Sequence, residues 1–138
     1  MNVIRAVKVL LDAGLDFIIV DDWATVLHGS AHIPNELHLC CADDHLQRVK
    51  SSISAPAGRV VIHLSTGVAG VGTYDDALAN SLFVRAFDSK VRTLDLPALI
   101  RSKRATGSGR DLVIAMELEA LLDVADRVRG LTPSHTAR

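Results

Sequence analysis

Apolar residues recur in residues 2–13 at Val3, Val7, Leu10 and Leu11, which share one helical face, and Gly14 follows as a C-terminal cap. Leu15 to Val20 is a short unbroken β-favouring run, as expected of a strand buried on both sides. Asp21-Asp22 interrupts it, and either aspartate can cap a short helix that starts near Trp23 and ends at Gly29-Ser30. From Glu36 to Cys41 the pattern alternates, with Leu37 and Leu39 set against His38 and Cys40, and predicts a second strand. Asp43 then opens a helix carrying Leu46, Val49 and Ile53, and Pro56 and Gly58 make a turn.

Arg59 to Leu64 reads as a third strand. Gly67, Gly70 and Gly72 make the next stretch a flexible turn or weak strand, with strand-rich sequence after it. Residues 82–87 and 90–94 predict a hairpin around Asp88-Ser89. Leu96, Leu99 and Ile100 open a helix that fades at Gly107. Ser108 starts the last helix, with Asp111 three residues on as in a capping box. Its apolar face is Ile114, Leu118, Leu121, Leu122, Ala125 and Val128, and Gly130 ends it. The order predicts an α/β (α+β) fold: one mixed β-sheet flanked by helices, a domain over 1–130 and a frayed C-terminal tail over 131–138.

Composition narrows the function classes. The chain has 138 residues, 49% of them hydrophobic, enough for one core. The net charge of −1 supplies no global field to recruit nucleic acid, so any such contact needs a local patch. No apolar run is long enough to suggest a membrane span, and the N-terminus is amphipathic rather than a secretory leader. Cys40 and Cys41 are adjacent, so a disulfide between them would be strained. Reduced core cysteines fit a soluble, cytoplasmic protein.

Several segments, taken in order, carry a likeness. They are Phe17-Ile18-Ile19-Val20-Asp21-Asp22-Trp23-Ala24, Leu27-His28-Gly29-Ser30 and His32-Ile33-Pro34-Asn35-Glu36-Leu37-His38-Leu39. Further on come Tyr74-Asp75-Asp76-Ala77-Leu78, Leu96 to Ala105 with Leu99-Ile100 and Lys103, and Gly109-Arg110-Asp111-Leu112. Their order and spacing resemble the small nucleotidyltransferase-fold proteins, including toxin-type members of bacterial toxin–antitoxin and abortive-infection systems. That resemblance implies the nucleotidyltransferase fold and a nucleotide cleft. In that cleft an Asp-x-Asp strand holds divalent metal, and a Gly-Gly turn at a helix start lets backbone amides approach the phosphates.

The chain departs from this pattern where the chemistry sits. Glu36 and His38 occupy the acidic pair, and imidazole is a poor ligand for magnesium. The region expected to carry a third carboxylate, Val68 to Val71, holds no acid. Asp21-Asp22 replaces Gly-Gly, so two anions would face and repel a triphosphate. The expectation is a catalytically inactive pseudoenzyme with a binding or regulatory role and no required cofactor. Its partner would be a protein or a second copy of the chain. The alternative is a working nucleotidyltransferase or metal-dependent phosphoryl-transfer enzyme with a rebuilt site. There Glu36, His38 and His63 would hold a divalent metal (magnesium, manganese or zinc), a set that suits zinc, manganese or iron better than magnesium, with Asp21 or Asp22 joining. Against that stands the plain reading of His38 and His63 as strand residues bonded locally.

Other residues carry paired readings. The basic cluster Arg101, Lys103, Arg104 and Arg110 is either a solvated helix face or a phosphate-binding surface. In the second case Lys103 reaches the nucleotide cleft beside Asp21, Asp22, Ser30 and Arg110. Gly67 to Gly72 lacks the Gly-Lys-Ser/Thr ending of a phosphate loop. His28 is expected to cap the helix C-terminus. Ser30, with His28 or His32 nearby, lacks the nucleophile elbow of a hydrolase. Trp23 either packs ordinarily or fills space that the family leaves to nucleotide.

Overall fold

Ile18–Val20 (β1) is buried throughout and lies at the centre of a five-stranded sheet of order β3-β2-β1-β7-β6. The computed structural model describes residues 3–34, 36–53 and 61–130. Before β1 comes α1 (Val3–Asp12), and after it α2 (Asp21–Leu27). There follow β2 (Glu36–Cys40), a 3₁₀ turn (Asp43–His45), α3 (Leu46–Ile53) and β3 (Val61–Ser65). The second half holds β4 (Gly67–Val68), β5 (Gly72–Thr73), α4 (Tyr74–Ala79), β6 (Ser81–Ala86), β7 (Ser89–Leu94), α5 (Leu96–Thr106) and α6 (Gly109–Gly130). The fold is therefore mixed α/β. A mixed sheet is flanked by helices: β1 runs antiparallel to β2 and parallel to β7, β2 parallel to β3, and β6 antiparallel to β7.

Alternation along β2 sorts its side chains. Leu37 and Leu39 enter the core, while Glu36 and His38 take the other face. The parallel register sets Leu37 beside Ile62 and His38 beside His63, so β3 continues both faces. The core joins Val7 and Leu10 of α1, Ile18 and Ile19, Leu37 and Leu39, Leu94, Leu99 of α5 and Leu118 of α6. Cys40 and Cys41 are free thiols, both fully buried.

Several boundaries differ from the expected ones. Leu15 and Phe17 are buried but precede the paired strand, which is only three residues long. Residues 74–79 form a helix where strand-rich sequence was expected. Thr73 and Asp76 close a capping box there, and six residues are too few to show a helical period. The β6–β7 hairpin turns on Phe87-Asp88, one residue earlier than expected, with φ of 55° and 58°. Two left-handed residues match the twist of a two-residue hairpin, and the bulky Phe87 is steadied edge-on against Trp23, ring centroids 5.4 Å apart. Ordinary packing is thus the observed role of Trp23. Residues 67–73 form a small antiparallel hairpin. It lies so close to α5 that a Cβ at Gly70 would sit 2.6 Å from the Arg101 carbonyl oxygen, which accounts for that glycine.

At the start of α6 the Asp111 amide donates to Ser108 Oγ at 3.1 Å, as a cap requires. The outer face of α6 is unusually apolar: Met116 is 70% exposed and Val113 66%. Among the described residues no helix is long and apolar enough to cross a membrane. The expected turn at Pro56 and Gly58, the start of the third strand at Arg59 and the tail over 131–138 lie outside the described residues.

Candidate functional site

The end of β1 and the start of α2 meet α5 and α6 at one point. The chain turns there through Asp21, whose φ of 60° is left-handed, a conformation that aspartate tolerates better than most residues but that glycine adopts freely. The turn aims both Asp21 and Asp22 at α5.

Lys103 answers them. Its side chain is only 2% exposed, so it is not part of a solvated basic face. Its ammonium donates to Asp21 Oδ1, to Asp22 Oδ1 at 2.9 Å and to Asp111 Oδ1 at 3.3 Å. A buried ammonium without such partners would be strongly disfavoured. Arg110 adds a second cation, with Nη2 2.7 Å from Asp22 Oδ2. Thr106 Oγ1 donates to Asp111 Oδ2 at 2.6 Å. Gly107, left-handed at φ 70°, ends α5 and lets α6 begin two residues later, which brings Asp111 back beside Lys103.

The titration of each group follows from this packing. Burial pushes the Asp22 carboxyl up, but hydrogen bonds from Arg110 and Lys103 outweigh it and hold the group below the usual carboxylate value. Asp111 is likewise lowered: burial opposes the shift, while the Thr106 hydrogen bond and the Lys103 charge drive it. Burial alone would lower Lys103, yet the bonds to Asp21 and Asp22 raise it above its ordinary value. Hydrogen bonding to Asp22 raises Arg110 too. The two aspartates therefore do not stand as bare anions at this turn, as the sequence suggested. Lys103 and Arg110 neutralise most of their charge.

A cleft of about 240 Å³ opens beside the cluster, lined among others by Asp21, His38, Ser65, Gly67, Ser102 and Arg110. Lys103 lies behind its wall rather than in it. On the adjoining sheet face Glu36, His38 and His63 come together. His63 Nε2 is 2.9 Å and His38 Nε2 3.4 Å from Glu36 Oε2, and His38 Nε2 is 3.6 Å from Asp21 Oδ2. The imidazoles stack with centroids 4.6 Å apart. Among the described residues these three could hold a metal ion, each offering one donor atom within 4.8 Å of the others. They do not fit the magnesium that the resemblance implies, because two of the three donors are imidazole nitrogens.

Ser30 does not line that cleft and is buried. Its hydroxyl donates to Glu117 Oε1 at 2.5 Å and lies 2.8 Å from His32 Nδ1. With the hydroxyl proton committed to the carboxylate, His32 Nδ1 donates. The arrangement ties the loop after α2 to α6. His28 takes the C-cap position of α2, and its Nε2 donates to the Leu94 carbonyl at 2.7 Å, holding α2 against β7. The sequence gives no motif for Thr106 or Glu117, and it marks Asp111 as a helix-start residue rather than as a partner of Lys103. No protein-family model, curated protein or solved structure matches this chain.

Proposed function

We propose that this chain is a nucleotidyltransferase-like protein that has lost nucleotidyl transfer and acts by binding. The observation that carries the reading is the Asp21–Lys103–Asp22 cluster. Where the resembled family offers backbone amides to a triphosphate, this chain places carboxylates, and they hold the lysine that the resemblance assigns to the cleft. Asp111 and Arg110 complete a self-satisfied network, so the cations that would meet phosphate are already engaged. The acidic-pair positions hold one carboxylate, Glu36, and one imidazole, His38. The test is calorimetric titration with the four nucleoside triphosphates in magnesium and then manganese, followed by a transfer assay. No saturable heat and no transfer are expected. Transfer that depends on Glu36 overturns the reading.

The partner that the surface favours is a second copy of the chain. Leu112, Met116, Ala120, Val124 and Val128 are all exposed and follow one another at four-residue steps along α6. Such a ridge packs into its own copy, and the set is symmetric about the small Ala120. In an antiparallel crossing there, Met116 meets Val124. Light scattering is expected to give a dimer that Met116→Glu dissociates; a monomer at every concentration removes the self-partner.

A further inference from the structure

We propose that Glu36, His38 and His63 form a three-ligand site for a transition-metal ion, zinc foremost, with a coordination position open toward the neighbouring cleft. This stands apart from the reading above, since a chain that binds no nucleotide can still hold zinc.

Placement comes first. Glu36 and His38 are two residues apart on β2 and so share a face. His63 is the direct register partner of His38 on the parallel strand β3. Adjacent strands of one sheet thus set the three donors without help from a loop, which is the rigid support that a preorganised site needs.

The geometry is close to that of a bound ion. Ligand atoms about 2.1 Å from a tetrahedral zinc are separated from one another by about 3.4 Å. The two imidazole Nε2 atoms already lie 2.9 and 3.4 Å from the same Glu36 oxygen. Both rings thus bring their Nε2 atoms to the same carboxylate oxygen. The stacking of the rings, inclined at 18°, keeps them side by side. Small side-chain rotations suffice to place an ion among the three atoms.

Donor chemistry selects the ion. Two neutral imidazoles and one carboxylate match the ligand set of catalytic zinc sites and suit nickel, cobalt and iron also. Magnesium requires six oxygens in a tight octahedron and gains little here. All three side chains are partly exposed, so the ion has an entry path and keeps a place for water or ligand. Asp21 Oδ2, 3.6 Å from His38 Nε2, stands where it can accept a hydrogen bond from a water in that place. His38 and Asp21 also line the cleft that carries Arg110, so the ion would be reached from that cleft.

The test uses untagged full-length protein stripped with a chelator. It is titrated with Zn²⁺ against a chromophoric competitor, with Co²⁺ followed by visible absorption, and with Mg²⁺. One equivalent of zinc per chain and the intense bands of low-coordinate cobalt are expected, with no comparable response to magnesium. His38→Gln and His63→Gln should each weaken zinc by ~100-fold or more, while His45→Gln leaves it unchanged. His63 is half exposed, so its replacement keeps the fold, as circular dichroism checks. Zinc binding that both variants retain, no zinc binding at all, or magnesium binding as tightly each overturns the proposal.

Discussion

The Lys103 ammonium lies 2.9 Å from an Asp22 carboxylate oxygen, joining α5 to the first turn of α2 across 81 positions of sequence. Because Lys103 is buried and its partners are only partly so, the pair fixes where α5 crosses the end of β1. It also decides what the neighbouring cleft presents to a ligand.

Replacing Lys103 by Met is expected to destabilise the protein by about 3 kcal/mol, because it leaves Asp21, Asp22 and Asp111 with Arg110 as their remaining counter-charge. Urea unfolding at neutral pH measures this. A loss under about 0.5 kcal/mol, the range of surface changes, would mean that water already screens the cluster.

The same cluster sets a pH window. Asp22 and Asp111 titrate below 3.8 in the folded chain, so their contribution is present above that value and is lost as the pH falls through their lowered values. Lys103 titrates above 10.5, so its contribution is full below that value and fades as the pH rises past its raised value. Unfolding free energy followed from pH 2 to pH 12 should therefore fall at both ends. Asp22→Asn should flatten the acid limb; an unchanged limb would place the acid sensitivity elsewhere.

Asp21 combines a left-handed backbone with a charge, and two substitutions separate them. Asp21→Asn keeps a side chain that tolerates positive φ and removes the charge. Asp21→Gly removes the charge too but relaxes the backbone. The glycine variant is expected to be the more stable of the two by up to about 1 kcal/mol. Thermal unfolding of both settles the order, and a more stable asparagine variant would show that the turn carries no strain.

Both cysteines should be silent in the native protein. Burial, with the adjacent Cys41 adding to it, pushes the Cys40 thiol up to about 11, and burial raises Cys41 as well. A disulfide reagent at pH 8 is expected to label neither until denaturant is added. Rapid labelling of the folded chain would mean that the core opens there.

Much of the fold was legible along the chain because it rests on local rules. The apolar run at Ile18–Val20 marks a strand with neighbours on both sides, and alternation from Glu36 to Cys40 marks a strand with one face in the core. Leu96, Leu99 and Ile100 mark the opening of α5, and Gly107 ends it. The helix at 74–79 was not legible, because a helix this short is held by its capping box and its packing rather than by a period. At the site, Glu36 and His38 were readable as a same-face pair, and His63 as a residue free to join them.

What the sequence determined by itself was therefore most of the longer elements, their core faces and the residue types available for chemistry, since spacing alone decides which side chains share a face. Only the tertiary structure decided which faces meet. The parallel β2–β3 register puts His63 beside His38 rather than one residue away, and a slip of one residue would have sent it to the opposite face. The crossing of α5 over the start of α2 buries Lys103, which in sequence looks like any lysine of an exposed basic helix. A lysine carries no local sign of its partners: its long stem reaches carboxylates that the chain brings near only when distant elements pack, and the charge stays buried because three of them are there to meet it.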